Sequence, residues 1–225
     1  STTAAYTVTS ETAVEDYQGQ YAFSYSDRPD YNAMAAALKF LHLFKGTFTG
    51  YGEGFDLEAA PTRLQALIMF IRVLGEEEQA LAWSGTTPFK DIEKGSQAEH
   101  YVGYAYEKGY TNGYTATSFK PAGAVNAYQY TEFVLRAMGY RSAANKDLSD
   151  TLLRAVNAGV LTDGDAAMLQ SAAFLRAQLV YISYYALEAD LPDGSQSLAD
   201  HLMDLGVFTR DEWRGSWKLV KSERL

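Results

Sequence analysis

Over residues 31–188 the apolar positions fall in pairs of helical stretches, separated by loops rich in glycine and small polar residues. In "DYNAMAAALKFLHLF", Met34, Leu38 and Leu41 recur at helical spacing behind an N-cap at Asp30, and the run stops at Gly46. The turn-rich "GTFTGYGEGF" follows, then a strong helix, "PTRLQALIMFIRVLG" (61–75). "GEEEQALAW" predicts a further short helix with Glu76–Glu78 on a solvated face. The pattern then restarts. "SQAEHYVGYAYEKG" predicts a helix ending at Gly109, "YTNGYTATSFKPAG" a loop, and "VNAYQYTEFVLRAMGY" a helix with Tyr130, Phe133, Val134, Ala137 and Met138 on one face. In a third round "DLSDTLLRAVNAG" predicts a helix, "VLTDGDAAML" a loop and "AFLRAQLVYISYYAL" a helix. "SLADHLMDLGVF" opens a partial fourth round before a polar tail with Trp213 and Trp217.

Units of this size cannot bury their apolar faces alone, so they pack on one another. The expected architecture is mainly α. It has three pseudo-symmetric helix–loop–helix repeats, about 31–75, 88–140 and 147–188, in a domain over 31–190 with short extended loop segments. Residues 1–30 have few large aliphatics and are expected to form a linker or arm, in which Tyr6 and Val8 alternate enough for one edge strand. Residues 191–225 are expected to form a C-terminal helical extension that closes on the first repeat or binds a partner.

The second helices of the rounds share a first turn. Thr62-Arg63-Leu64-Gln65 and Asn126-Ala127-Tyr128-Gln129 each place a capping side chain three residues before Gln, the spacing of a capping box. Leu175-Arg176-Ala177-Gln178 keeps the Gln but has Leu at the cap, so this end is expected to be weaker or capped otherwise. Arg63 and Arg176 occupy the first helical position, where the macrodipole disfavours a cation. One reading is structural: the Arg stem covers apolar surface and the head stays in water. The other is an anion site, where free N–H groups, the dipole and a guanidinium converge on a carboxylate or phosphate. Recurrence at matching positions favours the second.

At these residues the chain resembles the S-layer homology family. "PFKDI" (88–92), "YEKGYTNGYTATSFKP" (106–121), "PTRLQALIMFIRVLG", "YTEFVLRAMGY" (130–140) and "FLRAQLVYIS" (174–183) match its parts in order and spacing, over roughly 31–190. The resemblance implies a pseudo-trimer around a central helix bundle, with grooves between repeats. It also implies a non-catalytic module that anchors an exported protein to a Gram-positive-type wall by binding an anionic, often pyruvylated, secondary wall polysaccharide. The Arg of the family's Thr-Arg-Ala-Glu motif, which meets the pyruvyl carboxylate, maps onto Arg63 beside Thr62, and onto Arg176. Ala127 departs from the motif, and Gln65, Gln129 and Gln178 replace its acidic residue. Gln97 stands where the family usually has Trp in the second repeat.

Composition sharpens this picture. The 225 residues contain no cysteine, which excludes a disulfide framework and a thiolate metal site. A net charge of −9 opposes nucleic acid and anionic membranes, so anion binding needs a local cluster of cations. No apolar run spans a membrane. The Thr-rich start, "STTAAYTVTSETA", suits an exported protein after signal-peptide removal. Among the 17 tyrosines, Tyr101, Tyr104 and Tyr106 are expected in or near the core, while Tyr110 and Tyr114, flanking Gly113, sit in a loop where ligand contact and packing are equally expected. Arg72 and Arg136, late in their helices, suit the negative helix end. His42, His100 and His201 show no zinc spacing, and no nucleophile elbow or phosphate loop is present, so neither catalysis, metal nor cofactor is expected. The expected ligand residues are Arg63, Arg176, Thr62, Gly113, Tyr114 and Tyr110. A second reading stays open: a degenerate repeat scaffold for protein–protein assembly or self-association at the cell surface, with both arginines in internal salt bridges.

Overall fold

The computed structural model describes residues 29–48, 53–140 and 147–225. The chain is mainly α. The first round gives α1 (Tyr31–Phe40), a hairpin of two-residue strands β1 (Thr47–Phe48) and β2 (Glu53–Gly54), then α2 (Arg63–Leu74) and α3 (Glu77–Ala82). The second gives α4 (Gln97–Glu107) and α5 (Ala127–Met138); α6 (Thr151–Asn157), α7 (Asp163–Ser171), α8 (Arg176–Ala186), α9 (Leu198–Asp204) and α10 (Arg210–Trp217) complete the order. The strands pair antiparallel, Thr47 with Gly54 and Phe48 with Glu53. The arm expected over 1–30, with the strand at Tyr6 and Val8, lies almost wholly outside the described residues.

Local chemistry explains most helix ends. Asp30 caps α1 by accepting from Ala33 N–H at 3.0 Å. Reciprocal boxes open α2 (Thr62, Gln65) and α5 (Asn126, Gln129). Both helices end at a left-handed glycine, Gly75 and Gly139. At α8 half a box remains: Gln178 accepts from Leu175 N–H at 3.0 Å, and no cap side chain returns the bond.

Every residue of α8 is buried, as suits a helix enclosed on all sides. It packs on α1 and α5, and α5 packs on α2. One apolar cluster gathers around α1, α5 and α8, and a second around α2 and α4 with Phe89 and Phe119; Phe133 and Ala137 of α5 touch both. The C-terminal segment closes on the first round. α10 packs on α1, His42 Nε2 meets Glu212 at 2.7 Å, and Trp213 is buried against Phe208.

Three local expectations need correction. "VLTDGDAAML" is largely helical, because Thr162 and Asp165 form a capping box that starts α7. Glu76 and Glu77 do not face open solvent. Glu76 accepts from the hydroxyls of Tyr104 and Tyr110, and Glu77 from Tyr101 while pairing with Arg72 at 2.7 Å. Tyr101 and Tyr104 are buried, but Tyr106 is 42% exposed, its ring meeting Phe89 edge-on.

Candidate functional site

The first turn of α2 is gripped by the loop that leaves α4. Arg63 N–H donates to Gly123 C=O at 2.8 Å and Leu64 N–H to Pro121 C=O at 3.1 Å. Gln65 N–H donates to Thr62 Oγ1 at 3.2 Å, and Thr62 N–H to Gln65 Oε1 at 2.9 Å. The free N–H groups anticipated for anion binding at this end are therefore already paired. What stays available is the side chain. Arg63 Nε donates to Phe119 C=O at 2.9 Å, and its guanidinium carbon lies 4.9 Å from the Phe119 ring and 5.9 Å from the Tyr114 ring. Among the described residues no carboxylate pairs with its terminal nitrogens. Partial burial lowers the Arg63 pKa against the fields of Tyr114 and Asp91, and a guanidinium keeps its charge regardless.

The Phe-x-Asp segment braces this loop. Asp91 accepts from Phe119 N–H, Lys120 N–H and Ser118 Oγ at 2.8–3.0 Å. Phe89 packs on Phe119 and fills the space beside Gly113, where a Cβ would come within 2.3 Å of the Phe89 ring, at φ +84. Lys120, at φ +56, holds its ammonium 3.6 Å from the centre of the Tyr114 ring, itself 57% exposed. Two cations thus flank an exposed aromatic face. Beside them a cavity of about 320 Å³ runs between α2, α5 and the loop, with Arg63, Tyr110, Gly113, Gln129 and Glu132 on its walls. Tyr110 turns its hydroxyl away, donating to Glu76 at 2.7 Å; burial and that carboxylate push its pKa to about 12.

α8 is held in the same manner by the loop that precedes α2. Arg176 N–H donates to Ala59 C=O at 2.8 Å and Ala177 N–H to Leu57 C=O at 3.0 Å. Arg176 Nε donates to Phe55 C=O at 2.9 Å, and the guanidinium lies 5.0 Å from the Phe44 ring. Phe55, Leu57 and Ala59 therefore do for Arg176 what Phe119, Pro121 and Gly123 do for Arg63. The surroundings differ. Arg176 is 5% exposed and one terminal nitrogen has no hydrogen-bond partner. Burial and the nearby Arg72 lower its pKa, while Asp56 opposes them. Asp56 follows Phe55 as Lys120 follows Phe119, and it too has positive φ, +48. At α5, Ala127 supplies no guanidinium, and among the described residues no loop carbonyl docks on its first turn.

The segment that builds the loop around Arg63 decides the comparison. Residues 88–126 match the S-layer homology domain. The matched stretch supplies Phe89, Asp91, Gly113, Tyr114, Phe119 and Lys120, while Arg63 comes from outside it. The chain is also 28% identical over 202 residues to a cell surface protein of Thermoanaerobacter kivui, covering 84% of this chain and 25% of that protein. It thus spans a quarter of the length of the curated relative it matches. An S-layer homology domain points to anchoring at the cell wall or surface.

The structure places Arg63, Tyr110 and Gly113 on one cavity wall, with Thr62 capping the helix that Arg63 opens and the Tyr114 ring near its guanidinium, and keeps Arg176 apart, in its own buried socket. Asp91, Lys120 and Glu132 were not singled out from sequence. Asp91 carried a signal, the Phe-x-Asp segment; Lys120 and Glu132 carried none. Among the described residues no cluster of His, Asp and Glu could hold a metal ion, and no helix is long and apolar enough to cross a membrane.

Proposed function

We propose that this chain is a non-catalytic anchoring module that binds an anionic secondary cell-wall polysaccharide at the surface of an exported protein. The observation that carries this reading is the half-open guanidinium of Arg63. Its terminal nitrogens are unpaired among the described residues, and it stands beside Lys120 and the exposed Tyr114 ring at a cavity mouth. A carboxylate such as a pyruvyl ketal suits the guanidinium fork, and a sugar ring suits the tyrosine face. Thr62, Gly113 and Tyr110 hold the shape of the site. Arg176 is the second candidate, in a socket that must open before ligand reaches it. The cyclic use of loops, the first round's on α8 and the second's on α2, supports a pseudo-threefold arrangement of three repeats over 31–190.

The scaffold reading, in which repeats mediate assembly with protein partners, draws support from the burial of Arg176 and the loss of Arg at Ala127. Sedimentation with purified sacculi, before and after chemical removal of the secondary polymer, separates the two. The anchoring reading expects binding that disappears with the polymer and falls about ten- to a hundredfold in Arg63→Ala, the size of a lost charge-assisted contact. Unchanged binding by a folded Arg63→Ala variant overturns the site; self-association without sacculus binding favours the scaffold.

A further inference from the structure

The cavity beside Arg63 contains a carboxylate that neither the helix caps nor the loop contacts require. Glu132 lies in the middle of α5, 2% exposed, on the cavity wall. Its Oε2 is fully engaged, accepting from Thr151 Oγ1 and from Arg154. Its Oε1 is buried and accepts no hydrogen bond. A buried carboxylate oxygen without a donor is costly, and Glu132 lines a cavity from which a bound molecule can supply one. Packing does not demand an acid here, because an apolar side chain would fill the same helix position. Its salt bridge to Arg154 uses only the other oxygen.

We infer that Glu132 is a ligand acceptor: its free oxygen takes a hydroxyl or amide N–H of the sugar whose anionic group is held by Arg63. The inference rests on the anchoring reading and deepens it. The cavity then reads a ligand of two chemistries, an anion for the guanidinium and a hydrogen-bond donor for the carboxylate. Gln129, on the same wall, can serve either kind of partner. A ligand that carries the anion alone leaves Glu132 desolvated and unpaired, and sites of this kind discriminate strongly against the analogue that lacks the donor.

The test uses two probes and the Glu132→Gln variant. One probe is the methyl glycoside of an N-acetylhexosamine bearing a 4,6-pyruvate ketal. The other is the same glycoside lacking the acetamido group and the free hydroxyl. In Glu132→Gln the amide oxygen can still accept from Thr151 and Arg154, while the amide nitrogen now presents donors to the cavity. The wild type is expected to prefer the first probe by about tenfold or more in titration calorimetry. Glu132→Gln is expected to lose that preference through weaker binding of the first probe, while the second probe binds no more weakly and still depends on Arg63. Equal affinity of the wild type for both probes, with Arg63→Ala still abolishing binding, overturns the role of Glu132 and leaves the anchoring site standing. Failure of the wild type to bind either probe overturns both. The wild-type comparison of the two probes stands even if the variant does not fold.

Discussion

Two arginines in this chain are held by the same wiring and left in opposite states. Arg63 and Arg176 each open a helix, each dock their first turn on loop carbonyls, and each give Nε to the carbonyl of a phenylalanine. What separates them is the residue after that phenylalanine. At Arg63 it is Lys120, which adds a second cation beside an exposed ring. At Arg176 it is Asp56, whose negative field opposes the effect of burial on the guanidinium. The shared wiring is a structural joint between rounds. The next residue sets a carboxylate's field against the burial of Arg176, and a second cation beside the Tyr114 ring that Arg63 faces, where Asp91 supplies the opposing field. On a chain of net charge −9, Arg63 and Lys120 beside one exposed ring are the local pair of cations on which the proposed anion site rests.

The largest effect is expected from reversing the sign in the closed socket. Asp56→Lys replaces the opposing carboxylate near buried Arg176 with a further cation beside Arg72, and an uncompensated buried charge typically costs about 3–5 kcal/mol. Urea unfolding should show a loss toward that range. Adding Arg176→Met, which keeps the apolar stem and removes the charge, should recover most of it. Recovery is the informative outcome: if the double variant is no more stable than Asp56→Lys, the socket does not rest on this charge pair.

In the open socket the same kind of change should act on binding rather than on folding. Arg63→Ala is expected to lower sacculus binding by about 1.5–3 kcal/mol while changing stability by less than about 1 kcal/mol. Lys120→Asp should weaken binding by a smaller factor, about tenfold, and flatten its salt dependence, since one screened surface charge is being inverted. Equal stability losses in Arg63→Ala and Arg176→Ala would erase the distinction between the sockets.

How much of this comparison could be read from the chain depends on range. The caps at Thr62 and Asn126 and the C-terminal glycines Gly75 and Gly139 are local, and the helices they bound were legible. The helix α7 was not, because "TDGD" carries turn residues whose box uses Asp165 in place of Glu or Gln. The docking of Gly123 on Arg63 and of Ala59 on Arg176 joins residues far apart in sequence, so nothing near either arginine shows that its helix end is already occupied. The Asp56–Lys120 equivalence appears only once those carbonyls are matched. Glu76 and Glu77 looked solvated for the same reason: their tyrosine partners lie a helix away.

The smallest expected effect concerns the brace under the open socket. Slight burial pushes the Asp91 carboxyl up, but hydrogen bonds from Phe119 N–H, Lys120 N–H and Ser118 Oγ outweigh it and hold the pKa below its ordinary 3.8. A depressed folded value means that the ionised form stabilises the loop above pH 3.8, and that this contribution is lost as the pH falls through the lower, folded value. At the closed socket the Arg176 and Ala177 amides donate to the Ala59 and Leu57 carbonyls, and the arginine itself is buried. Proton exchange of the Phe119 and Lys120 amides should therefore lose protection in acid before that of the Arg176 and Ala177 amides, and Asp91→Asn should show the weakened protection already at neutral pH. Simultaneous loss at both sockets would mean that acid opens the fold as a whole, and would remove Asp91 from the account of how Arg63 is held open.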